Sequence, residues 1–99
     1  MESHCIEALR EQAEPLVALS LSHLMPGTRQ RLQADDLSVN AYPTEFGGFV
    51  FVGAPRHRHP VESDLASIFE AAERAGVVWL KFDCEAPVIT GLPVFTAAA

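Results

Sequence analysis

Apolar and polar positions alternate most regularly over residues 77–84, where Val78, Leu80, Phe82 and Cys84 fall on one side of an extended chain and Val77, Trp79, Lys81 and Asp83 on the other. The first set is wholly apolar and is expected to face a core. The second begins apolar and ends charged, as on a face covered at one end and wet at the other. Pro87 and Pro93 bracket residues 88–92. Since proline cannot donate to a ladder, that segment is expected as an extra C-terminal edge strand, hairpinned back onto 77–84. Residues 16–24 alternate Val17, Leu19, Leu21 and His23 against mostly small residues and predict a buried central strand. Residues 37–42, closed by Pro43, and residues 49–53, separated by a turn over 44–48, predict an antiparallel hairpin.

Elsewhere the period is nearer 3.6. Residues 60–75 predict a helix opened by Pro60, with Glu62 and Asp64 near its positive end and Val61, Leu65, Ile68 or Phe69, Ala72 and Ala75 along one stripe. Gly76 is suited to a left-handed cap. Residues 28–34, behind Pro26, predict a short helix with Leu32 pointing inward. Residues 3–14 predict an N-terminal helix with a thin apolar stripe of Ile6, Leu9 and Ala13, stopped before Pro15. A helix of that length is marginal alone, so it is expected to dock or fray.

The order is therefore a helix, then β-α-β-β-α-β, then an edge strand. The six middle elements match the ferredoxin-like pattern: an α+β fold with two helices on one face of an antiparallel sheet and the other face open. Right-handed crossovers would set strands 16–24 and 49–53 side by side in the centre. If Leu80 and Phe82 point at the helices, Trp79 points away, and Phe49 with Phe51 or Val50 with Val52 must join it on the open face. With the phenylalanines there, an apolar patch larger than most monomers leave bare would surround Trp79. Trp79, Phe49 and Phe51 are thus candidate interface residues.

The chain has 99 residues. That predicts a single domain, with a helical segment over 1–15, an α+β core over 16–95 and a disordered tail over 96–99. Thirteen acidic against seven basic side chains give a net charge of −6, which disfavours non-specific binding to nucleic acid or anionic membrane. No window approaches the apolar length of a membrane span, and the acidic N-terminal stretch does not read as a signal peptide, so a cytoplasmic location is expected. Cys5 and Cys84 lie in no metal-ligand or redox spacing and are expected as buried or half-buried free thiols. No cofactor motif is present, and no cofactor is expected.

Three segments together, LVALSLSHLMPGTRQRL, YPTEFGGFVFV and WLKFDCEAPVITGLPVF, resemble a family of small domains of unknown function encoded on bacterial plasmids and integrative elements. The resemblance covers residues 16–95 and is most specific in W-L-K-F-D followed by P-V-I-T-G-L-P-V-F. Members usually carry glycine at the position of Ala86 and an Asp-Trp pair at those of Thr96 and Ala97, where this chain departs from the pattern. The resemblance implies a mobile-element setting and no particular chemistry.

Other candidate chemistry is sparse. Arg56, His57, Arg58 and His59 form a basic cluster that could hold a phosphate or carboxylate near the start of the helix over 60–75; two histidines do not make a metal site, and the arginines repel a cation. His23 and Asp83 could meet at strand ends as an acid-base pair, but no nucleophile or oxyanion donor accompanies them. Residues 45–52, EFGGFVFV, share aromatic and glycine positions with RNA-recognition strands, yet lack the basic start, and the net acidic charge disfavours nucleic acid. The expectation is a non-enzymatic interaction or regulatory module with a protein partner or a homodimer. A small enzyme or anionic-ligand binder, and an acidic mimic of nucleic acid, are the alternatives.

Overall fold

The computed structural model describes residues 2–53 and 59–96. Its elements are helix α1 (Glu2–Gln12), strand β1 (Leu16–Ser20), a 3-10 turn (Leu21–His23), helix α2 (Pro26–Gln33), strands β2 (Ala41–Thr44) and β3 (Gly47–Phe51), helix α3 (Ser63–Ala75) and strand β4 (Trp79–Asp83). The fold is α+β, a four-stranded mixed sheet with order β1-β4-β3-β2. β1 runs parallel to β4, and the other neighbours are antiparallel.

This order departs from the all-antiparallel ferredoxin-like arrangement, because β4 lies between β1 and β3, which were expected to be neighbours. The direction of β4 follows from the end of the sheet at which α3 begins. Phe51 pairs with Trp79 at one end of the sheet, and the Val52 N–H donates to the Val78 carbonyl there. α3 begins at the opposite end, where Asp64 accepts from the Met25 N–H at 2.8 Å and the Thr28 hydroxyl at 2.9 Å. α3 thus runs back along the sheet toward the Phe51–Trp79 end, so β4 enters antiparallel to β3 and parallel to β1.

The core lies between the sheet and helices α2 and α3. Leu19, Val50, Leu80 and Phe82 from the strands meet Leu32 of α2 and Leu65, Ile68, Phe69 and Ala72 of α3, all buried. Gly76 caps α3 at φ 75°, as its sequence position suggested. At Gly47 a side chain would run into the Phe82 carbonyl, so the close approach of β3 to β4 requires glycine there.

Several expectations are corrected. The first strand stops at Ser20 and sits at a sheet edge, because the Ser20 hydroxyl accepts from the Ser22 N–H at 3.1 Å and opens the 3-10 turn. The hairpin strands form closer to the turn, at 41–44 and 47–51 rather than 37–42 and 49–53, and Pro43 lies within β2, which is an edge strand and tolerates it. α3 starts at Ser63, so Val61 lies outside it and is 76% exposed, while Pro60 is buried. β4 ends at Asp83, which leaves Cys84 exposed rather than in the core, and Cys5 is also an exposed free thiol.

Residues 88–92 form no strand. Instead the segment after β4 crosses to the helix side of the sheet, where Ile89 and Leu92 pack on the core beside the β1 edge. Polar contacts fix this arm. The Ser20 N–H donates to the Pro87 carbonyl and the Phe95 N–H to the Ser22 carbonyl. Buried His23 bonds the Pro93 carbonyl through Nδ1 at 2.7 Å and accepts the Ile89 N–H at Nε2 at 2.9 Å. With β1 at the edge and α3 above its neighbour, the arm fills the strip of core that a third helix would otherwise cover.

Candidate protein-interaction face

Strand alternation that sends Leu80 and Phe82 to the helices sends Trp79 and Lys81 the other way, and the register sets the neighbours of that pair. Trp79 lies between Leu16 of β1 and Phe51 of β3, and Lys81 between Ala18 and Phe49, with Tyr42 of β2 beyond Phe49. The rings form a connected cluster. The Phe51 and Trp79 centroids are 4.8 Å apart at an interplanar angle of 54°, and those of Tyr42 and Trp79 are 6.1 Å apart at 39°. Tilted pairs of this kind contribute about 0.5–1.5 kcal/mol beyond the area they bury. The Lys81 ammonium lies 5.9 Å from the Phe49 ring centroid, within cation-π range.

α2 and α3 are on the opposite side of the sheet, so neither covers this face. Tyr42 is 58% exposed and Leu16 48%, while Trp79, Phe49 and Phe51 are half-buried against each other. α1 does not cover it either: residues 4–12 are all exposed, with Ile6 at 49% and Leu9 at 65%. Its connection to the sheet is nevertheless fixed beside the cluster. The Pro15 carbonyl accepts from the Val78 and Trp79 N–H groups, and the Trp79 indole N–H donates to the Glu14 carboxylate at 3.1 Å.

The remaining candidates are not brought together. His23 has both ring nitrogens engaged by the C-terminal arm, and Asp83 accepts from the Glu85 N–H at 2.8 Å, so the two form no acid-base pair. Arg56, His57 and Arg58 lie outside the described residues, and His59 is exposed. Among the described residues no group of three His, Cys, Asp or Glu side chains is placed to hold a metal ion, and no helix is long and apolar enough to cross a membrane.

Two features escaped the sequence. Tyr42 joins the aromatic cluster because the register pairs it with Phe49 and brings its ring to Trp79. Glu62 is buried behind α3, where the Ser38 hydroxyl donates to it at 2.6 Å, the Ser38 N–H at 3.2 Å, and Arg31 stands 3.3 Å away. Burial pushes this carboxyl up, but the bonds from the Ser38 hydroxyl, from the backbone N–H groups of Glu62 and Ser38, and the Arg31 charge together hold it below its ordinary value. The pair joins the segment before β2 to the start of α3, a contact between positions with no shared periodicity.

The molecule is thus an α+β domain with an aromatic sheet face that no helix of the described residues covers. The model of the Family of unknown function (DUF5983) C-terminal domain matches residues 16–97, and the chain belongs to that family. The match begins just after Pro15, so α1 lies outside it. Searches of the curated proteins and of the solved structures gave no match.

Proposed function

We propose that the chain is a non-enzymatic protein-interaction module, a regulatory accessory of a bacterial mobile element acting in the cytoplasm, and that its aromatic sheet face binds a second copy of the chain. The observation that carries it is the Trp79 cluster with Phe49, Phe51 and Tyr42 on a sheet face that no helix of the described residues covers. Aromatic anchors of this kind dominate the energy of protein interfaces. The mobile-element setting is supported by the resemblance of the W-L-K-F-D and P-V-I-T-G-L-P-V-F segments.

A second copy fits because the chain carries two apolar surfaces that no other helix or strand of the described residues covers. The stripe of Ile6 and Leu9 stands off the body, and α1 departs from Glu14 at the edge of the aromatic cluster. Laying α1 of each copy over the sheet face of the other covers both surfaces twice by one two-fold operation, the commonest symmetry of homo-oligomers. Nucleic acid fits this face poorly, since among the described residues Lys81 is its one cation and Asp83 is at its end.

Light scattering and thermal melting of wild type and Trp79→Ser test the proposal. The expected result is a wild-type dimer and a folded monomeric variant, with deletion of residues 2–12 giving a monomer as well. A wild type that stays monomeric at high concentration would overturn it, as would a dimer that survives both changes.

A further inference from the structure

On the helix side of the sheet a cavity of about 330 Å³ lies between α3, the β1 edge and the C-terminal arm. Val17, Leu19 and Leu80 form its floor. Along α3 its wall is Ile68, Ala71, Ala72 and Ala75, and its roof is the arm from Ile89 to Leu92. Among the described residues Thr90 supplies the one side-chain hydroxyl and no charged side chain lines the space, and the exposed lining residues Ala71, Ala75, Thr90 and Gly91 mark the mouth.

The cavity has a structural cause. α3 offers alanines where longer side chains would fill the gap, and hydrogen bonds add to the packing of Ile89 and Leu92 in holding the arm at a fixed height. His23 grips the arm at Ile89 and Pro93, on either side of the roof, and Ser20 holds Pro87. Collapse onto α3 would break these buried polar contacts, which opposes the ordinary tendency of an apolar void to close.

We infer that this cavity is a binding site for an unbranched alkyl chain of medium length with a neutral, hydrogen-bonding head. The volume is at the lower end of the range for small-molecule pockets, roughly 300–1,000 Å³. The shape selects a chain over a compact ring: the wall residues 68, 71, 72 and 75 follow one helix stripe, which at about 1.5 Å per residue is about 10 Å long. The head stays at the mouth beside Thr90. With no cation in the lining and a net charge of −6, a carboxylate head is disfavoured relative to an alcohol.

Titration with n-octanol and with octanoate, followed by amide NMR shifts and thermal melting, tests the site. The expected result is saturable n-octanol binding with shifts confined to residues 68–75 and 89–92, a raised melting temperature, and weaker binding of octanoate. Ala72→Leu, which fills the cavity, is expected to weaken n-octanol binding by at least about tenfold. Should that variant fail to fold, Ala75→Met at the exposed rim serves the same purpose. Binding is expected to persist in Trp79→Ser, so the site stands or falls independently of the sheet face. No saturable binding, shifts centred on Trp79, or binding that survives the cavity-filling changes would overturn the inference.

Discussion

His23 Nδ1 lies 2.7 Å from the carbonyl oxygen of Pro93, seventy residues away in the chain, while Nε2 of the same ring accepts the Ile89 N–H. One buried imidazole therefore acts as donor and acceptor at once, which fixes the neutral tautomer with its proton on Nδ1. His23→Phe, which keeps a ring but loses both bonds, is expected to cost about 1–3 kcal/mol. The Ile89 amide should then exchange its hydrogen much faster than in the wild type. Unchanged protection at Ile89 would mean that the arm is held by Ile89 and Leu92 alone.

Glu62 gives the fold an acid-sensitive joint. Its carboxyl is held below the ordinary value of 4.5, so the unfolded chain takes up the proton first as pH falls. The stabilisation is therefore complete above that value and is lost as pH drops through the lower folded-state pKa. Glu62→Gln is expected to lower stability at neutral pH by about 1–3 kcal/mol and to make the loss below pH 4.5 shallower, measured by urea unfolding across the acid range.

Leu80→Ala and Phe82→Ala are each expected to cost about 2–5 kcal/mol through the cavity left under α2 and α3. Lys81→Ala, between them on the open face, should be nearly silent in urea unfolding. If the lysine change were the worst of the three, the register of β4 would be reversed.

Gly47→Ala is expected to destabilise more than Gly76→Ala. At Gly47 the new methyl meets the Phe82 carbonyl of the neighbouring strand, whereas at Gly76 nothing stands within 4 Å and the cost is the left-handed backbone alone, about 1 kcal/mol. Thermal melting of the two variants checks the order.

Local chemistry determined much of this molecule from the sequence. The alternation of Trp79, Leu80, Lys81 and Phe82 fixed which side of β4 is core, and with it the open-face placement of Trp79, because a side-chain period of two leaves no other choice. The stripe Leu65, Ile68, Phe69 and Ala72 and the cap at Gly76 set the buried face and the end of α3 for a similar reason, 3.6-residue periodicity closed by a residue that tolerates positive φ. Tertiary structure decided what these short-range rules do not carry. Whether β4 runs with or against β3 depends on the end of the sheet at which α3 begins, and no local periodicity encodes that. Val88 to Leu92 reads as a strand by composition, yet β1 and β3 already flank β4, so it cannot hairpin back onto that strand; Ile89 and Leu92 turn to the core instead, and His23 takes backbone groups of the arm. The cavity beneath it follows from a distance between α3 and that arm, set by hydrogen bonds across seventy residues, which no local pattern contains.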